Sequence, residues 1–296
     1  MHLLLVRAAA KRKRSSTILT AVRHLIPILI ILVVTTSALP TMGAAPRTKR
    51  ILIVGDSWAA SISAENRDGF PAPDVFDDTL KANGLGAFET QGKLTAWGGR
   101  KASDWAKPKH LAEIRSELLA YPSIDIVHLI VGGNDFLGAL NQADFAGKTA
   151  EERKVVWDAV ARNIQSIVDT CQSVRKDIRV VIADYDYLDH RAAEQFWKMN
   201  FHGASVREVN SWFVELGEAK RDIAVATPQC EYIDNWGTLQ YWFGEPPRNV
   251  PLPGGNLDAP MPKGISPDGI HPNADAHAKL IQNAIDQCYK AWLSTP

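Results

Sequence analysis

The sequence predicts a three-layer α/β/α domain, doubly wound around a five-stranded parallel sheet. Three observations carry this. From residue 48 onward, short apolar runs alternate with segments of helical periodicity, the pattern of a parallel sheet covered on both faces. The strongest run, residues 124–131, is apolar on both of its faces apart from Asp125 and His128, as suits a strand buried from two sides. No internal repeat or low-complexity linker interrupts the region, so one domain over 48–296 accounts for it.

Taken in order, Ile51, Leu52, Ile53 and Val54 make the first strand, which stops at Gly55. Asp74 opens a helix that uses Val75, Phe76 and Leu80 and ends at Asn83-Gly84, a polar start and a glycine stop. A weaker strand falls within 88–96. The next helix begins near Ser103 or Lys109 and runs to about Ala120, with Leu111, Ile114, Leu118 and Leu119 on one side. Beyond the strand at 124–131, Thr149-Ala150-Glu151-Glu152 has the form of a capping box, in which two side chains satisfy each other's orphan N–H groups. Val156, Val160, Ile164, Ile167, Val168 and Cys171 follow at helical spacing. Residues 178–183 form another strand, Val206, Val209, Phe213 and Leu216 mark a helix, and 230–233 are the last strand. A C-terminal helix presents Leu280, Ile281, Ala284, Ile285 and Cys288 together. Segments 184–203 and 235–272 are too long and irregular for tight connections. Both follow strands, so both are expected on the side where such folds bind ligands.

The formal charge of zero averages two unlike parts. Residues 1–44 hold Arg7, Lys11, Arg12, Lys13, Arg14 and Arg23 and no acidic residue, leaving 27 Lys and Arg against 33 Asp and Glu in the remainder. A body that is acidic by about six charges is poorly suited to nucleic acid. The basic excess belongs to targeting. Lys11-Arg12-Lys13-Arg14 precedes an apolar run at 25–34, and small residues follow in Thr36-Ser37-Ala38 and Gly43-Ala44-Ala45. This is the order of an export signal, and the run is short of the roughly 20 residues of a membrane span. The segment 1–44 therefore reads as a cleaved signal peptide, with an uncleaved N-terminal membrane anchor as the alternative. Either places the body outside the cytoplasm, whether periplasmic, secreted or held at the membrane. There, Cys171, Cys230 and Cys288 could form one bridge or none.

Four short blocks carry the chemistry. Gly55-Asp56-Ser57 follows the first strand directly; a hydroxyl there projects at the carboxyl edge of the sheet, although a helix-capping serine has the same wording. Trp97-Gly98-Gly99-Arg100 follows the weak strand, where glycine lets backbone N–H groups approach a ligand. Gly132-Gly133-Asn134-Asp135 follows the third strand, and its Asn side chain is a donor for a developing oxyanion. Asp268-Gly269-Ile270-His271 precedes the last helix. An Asp three residues before a His can fix the imidazole tautomer across a glycine turn. Asn273 already suffices as the cap of the helix that follows.

In this order and spacing the blocks resemble those of the SGNH/GDSL hydrolase family: a Gly-Asp-Ser block, a glycine block, a Gly-x-Asn-Asp block and a terminal Asp-x-x-His block. The matches are Gly55-Asp56-Ser57, Gly99 (with Gly98 as the alternative), Gly132-Gly133-Asn134-Asp135 and Asp268-Gly269-Ile270-His271. The resemblance runs from residue 50 to the end. It implies a flavodoxin-like SGNH hydrolase fold and a serine ester hydrolase that needs no metal or organic cofactor. By that likeness Ser57 is the nucleophile, His271 the base and Asp268 its orienting carboxylate. The oxyanion hole consists of the Ser57 and Gly99 N–H groups and the Asn134 side chain. Asp56 and Asp135 brace loops. Trp58 stands where the family often has a smaller aliphatic residue, and is expected to pack below the loop or line the acyl pocket.

The expected substrate is a small-molecule or glycan ester, either acetylated carbohydrate or a lipid or short-chain acyl ester. Acyl transfer to a glycan by the same residues is the alternative, and a non-catalytic glycan- or lipid-binding module the third reading. Tyr185, Tyr187, Phe196, Trp197 and Phe201 in one long segment, and Trp236, Tyr241, Trp242 and Phe243 in the other, are expected mostly to pack. Asp184, Asp186, Asp189 and His190 have no metal-site spacing and read as a solvated loop. His128 reads as a core histidine, and His277 as facing sheet or solvent.

Overall fold

The computed structural model describes residues 49–63, 74–85, 89–91 and 94–293. Residues 1–44, expected from the sequence to be a signal peptide or membrane anchor, lie outside them. Strands β1 (Lys49–Gly55), β2 (Glu89–Gln91), β3 (Ile126–Ile130), β4 (Arg179–Ala183) and β5 (Cys230–Ile233) pair in parallel in the order β2-β1-β3-β4-β5. Four of them have four to seven residues, and β2 is a three-residue edge. From β1 the chain passes to β2 on one side and then returns to β3 on the other. The crevice above β1 and β3 is thus the topological switch point, where open parallel sheets bind ligands.

Helices α4 (Pro108–Ala120), α6 (Ala150–Val174) and α8 (Val206–Ala226) pack side by side, and α2 (Val75–Ala82) packs against α10 (Ala274–Ala284). Local chemistry sets their starts. Pro108 occupies the first turn of α4, where its missing N–H costs nothing. Thr149 and Glu152 form the predicted capping box of α6, with bonds of 3.2 and 2.8 Å, and Ser205 and Glu208 form another on α8. Asn273 caps α10 through the Ala276 N–H at 3.0 Å. A π turn at Ile285–Tyr289 links α10 to α11 (Lys290–Leu293). It brings the Tyr289 hydroxyl to Nδ1 of His128 at 2.7 Å, so His128 is the satisfied core histidine its strand position implied.

Several short elements escape the periodic reading. These are α1 (Ser57–Ile62), α3 (Ala102–Trp105), α5 (Gly133–Leu140), α7 (His190–Trp197) and α9 (Thr238–Phe243). None exceeds eight residues, too short for an apolar stripe to repeat. Leu119 is 63% exposed, because the buried face of α4 continues through Glu117 and Leu118 instead. Cys171, Cys230 and Cys288 are buried and unbridged.

The solvated-loop reading of residues 184–190 is wrong. Asp184, Asp186 and His190 are buried. Asp184 forms an ion pair at 2.7 Å with Lys220, both side chains fully buried, and also accepts from Tyr232 at 2.5 Å. Asp186 accepts from the Gly237, Leu239 and Tyr187 N–H groups at 2.6 to 2.8 Å. Buried carboxylates persist where donors replace water, and neighbouring elements, invisible in the local sequence, supply them here. Lys220→Met leaves Asp184 buried without its cation and is expected to lower unfolding free energy by about 3–5 kcal/mol in urea titrations. Adding Asp184→Asn should recover part of that loss.

Candidate active site

Ser57 is the first residue of α1, reached by a sharp turn after β1. Gly55 makes the turn possible: its φ is +149°, and a Cβ there would lie 1.8 Å from the Ile130 carbonyl oxygen. Asp56 caps α1 by accepting from the Trp58 N–H at 3.1 Å. The Asp56 N–H continues the β1–β3 ladder to Ile130 O at 3.1 Å. The hydroxyl of Ser57 is thereby held at the carboxyl edge of the sheet.

His271 and Asp268 meet Ser57 from the loop before α10. His271 Nε2 lies 2.8 Å from Ser57 Oγ, and its Nδ1 lies 2.6 Å from Asp268 Oδ2. Asp268 Oδ1 accepts from the Ile270 and His271 N–H groups at 2.9 and 2.8 Å and from Ser266 Oγ at 3.2 Å. Partial burial pushes the Asp268 carboxyl upward. The His271 ring and these backbone donors outweigh it and hold the group well below the usual carboxylate range. An ionised acceptor at Nδ1 keeps the proton there and leaves the Nε2 lone pair for the serine hydroxyl.

Gly99 and Asn134 line the same cavity as Ser57 and His271, as does Gly98. Asn134 Nδ2 donates to Arg100 O at 3.1 Å and, more weakly, to Asp56 Oδ2 at 3.4 Å. Asp135 accepts from the Ala102 N–H at 2.7 Å, tying α5 to α3. Trp58 is buried; its indole N–H donates to Ile270 O at 3.0 Å, and its ring meets Tyr185 and His277 edge-on. It both packs under the site and contributes to the cavity wall. His277 faces the interior, where burial lowers its pKa to about 3.

The cavity measures about 380 Å³, and besides Asp56 its remaining walls come from Gly133, Leu137, Tyr185, Leu188, Trp197, Phe213 and Ile270. Of these, Gly133 and Ile270 fall within the sequence blocks, Tyr185 and Trp197 are aromatics expected mostly to pack, and Phe213 marks a helix position. No motif marks Leu137, although it lies one helical turn after Asn134 on α5. The aromatics of 235–272 do not reach it. Trp236 stacks on Tyr187 at 5.4 Å, and Trp242 is flanked by Arg248 and Lys279.

Burial raises the Asp56 carboxyl to about 6, against the opposing hydrogen bonds from Tyr185 and Trp58 and the charge of Lys220. The folded value lies above the unfolded one. The stability contributed by the bound proton is therefore complete below about 4 and lost as pH rises through about 6. Asp56→Asn carries no such titration, so it should gain about 2–3 kcal/mol relative to the parent chain between pH 4 and pH 8. Urea unfolding at the two pH values checks this; parallel pH dependence in both proteins would contradict it.

The model of the GDSL-like lipase/acylhydrolase family matches residues 53–279. Among solved structures, the fold is similar to a lipase from a goat rumen metagenome (TM-score 0.52, 11% identity, 82% of this chain and 98% of that one). It is similar also to a lipase/acylhydrolase from Enterococcus faecalis (0.51, 14%, 82% and 96%) and a carbohydrate acetylesterase family member from Sinorhizobium meliloti (0.50, 16%, 83% and 99%). A search of curated proteins finds no significant match. With the family model spanning β1 to α10, the chain belongs to the GDSL-like lipase/acylhydrolase family of ester hydrolases.

Proposed function

We propose that this chain is an exported serine esterase in which Ser57, His271 and Asp268 act as a catalytic triad. The observation that carries the reading is the continuous hydrogen-bonded chain from Ser57 Oγ through the imidazole to Asp268, opening on an apolar cavity. Ser57 Oγ attacks the acyl carbonyl as its proton passes to His271 Nε2. The alkoxide then leaves with that proton, and water, deprotonated by the same imidazole, releases the acid. The Ser57 and Gly99 N–H groups and Asn134 Nδ2 receive the oxyanion. Export rests on the basic and apolar order of residues 1–44.

The cavity walls support an acyl group longer than acetyl. Trp197, half exposed, packs edge-on to His271 at 5.8 Å, and we assign the leaving alcohol to this side of the cavity because the imidazole must protonate it. The acyl side is then bounded by Leu137, Leu188 and Phe213, with Phe213 pinned between Phe136 at 3.9 Å and Tyr185 at 5.4 Å.

Ser57→Ala is expected to abolish hydrolysis of a short-chain aryl ester while the far-UV dichroism stays that of the parent; retained turnover would refute the triad. Across aryl esters from acetyl to octanoyl, kcat/KM should rise about fourfold per methylene until the cavity fills, since each buried methylene contributes about 0.8 kcal/mol. A series that falls from acetyl onward would show that the cavity holds the leaving group. Adding a glycan acceptor and analysing products separates hydrolysis from acyl transfer.

A further inference from the structure

Tyr185 sits between the nucleophile turn and the Asn134 turn. Its hydroxyl donates to Asp56 Oδ2 at 2.5 Å, the same oxygen that Asn134 Nδ2 approaches at 3.4 Å. Its ring packs against Gly133, where a Cβ would meet the phenol Cζ at 2.7 Å and its oxygen at 3.0 Å. Glycine at 133 thus has a packing reason: any side chain would expel the phenol.

The ring is also held from beneath. Lys220 Nζ lies 4.5 Å from its centroid and bonds Asp184 Oδ1 at 2.7 Å, and that same oxygen accepts the Tyr185 N–H at 2.9 Å. The stalk of Lys220 underlies Gly132, 3.3 Å from where a Cβ would stand. A buried cation on an aromatic face contributes more than an exposed one, and its carboxylate partner fixes the backbone of the same tyrosine. Four segments, namely the turns after β1, β3 and β4 and the middle of α8, therefore converge on one phenol.

We infer that Tyr185 is a positioning residue for the oxyanion hole, clasping Asp56 to the Gly133-Asn134 turn so that Asn134 Nδ2 faces the Ser57 turn. This rests on the esterase reading above. The hydroxyl is engaged by Asp56 Oδ2, so Tyr185→Phe removes that bond while leaving the ring in the cavity wall. Donors aimed at an oxyanion work only when preorganised, and a clasp made of one short bond and one steric wedge provides that.

Tyr185→Phe keeps the wedge and removes the bond. With an aryl ester, kcat should fall about 10- to 100-fold while KM stays within about twofold, the split expected when only transition-state stabilisation is lost. Tyr187→Phe is the control, because it deletes an equally buried phenol whose 2.5 Å bond runs to Gly254 O, away from the cavity. In the ligand-free protein, the Asn134 side-chain amide resonance, assigned by its loss in Asn134→Asp, should shift in Tyr185→Phe and not in Tyr187→Phe. Gly133→Ala, which displaces the ring, should move the same resonance and lower kcat. Unchanged kcat in Tyr185→Phe, a fall equalled by Tyr187→Phe, or an unmoved Asn134 resonance would each overturn the clasp. Should the parent chain show no Ser57-dependent turnover, the esterase reading fails by itself, and the Asn134 resonance still decides the clasp.

Discussion

The pairing of β1 with β3 is the constraint on which the site depends. The ladder runs from Ile51 opposite Ile126 to Gly55 opposite Ile130, and one further bond carries it to the Asp56 N–H. Parallel strands in register end together, so the turns that follow them are neighbours. The Ser57 turn and the Gly132-Gly133-Asn134 turn therefore stand side by side, and the contacts of Asp56 with Asn134 and Tyr185 join them. The bridge from Gly55 to Ala96 brings the segment before Gly99 to the same edge. Asp268 and His271 need only to be laid across this edge, and the Trp58 indole bond to Ile270 O helps to lay them there.

Around that edge the protein buries charge in a graded way. Asp268 is partly buried, with backbone and imidazole donors around both oxygens, and stays ionised. Asp56 is enclosed and poised near 6. Asp184 is enclosed completely and neutralised by Lys220. Each arrangement answers the same penalty, the loss of water around a carboxylate, with a different set of donors. The apolar side chains that impose the penalty also form the cavity, so the wall that would receive an acyl group is the wall that sharpens the electrostatics.

Much of the fold could be read because it repeats. The long helices α4, α6 and α8 and the strands β1, β3, β4 and β5 each carry a periodic apolar pattern, and two show capping boxes outright. The blocks around Ser57, Asn134 and His271 could be read because the turns after β1 and β3 and the turn before α10 demand particular residues at fixed spacing. What escaped were the helices of eight residues or fewer other than α2, and the cavity walls, whose residues are drawn from α5, α7, α8 and the loops. Lys220 does carry a sequence signal: it continues the buried stripe of Val209, Phe213 and Leu216 on α8, and a lysine in such a stripe needs a buried partner.

The amino-acid sequence by itself determined the layered α/β architecture, the placing of Ser57, Gly99 and Asn134 after strands and that of Asp268 and His271 ahead of the last helix, since periodicity and turn chemistry are local properties of a chain. Tertiary structure alone decided how those turns are held together. Asp184 and Asp186 look like residues of a wet loop until α8 and the Gly237 turn are folded over them, and Tyr185 looks like one aromatic among many until its hydroxyl meets Asp56. Burial and hydrogen-bond partnership depend on residues far apart in sequence, 129 positions in the case of Tyr185 and Asp56. No local pattern encodes them.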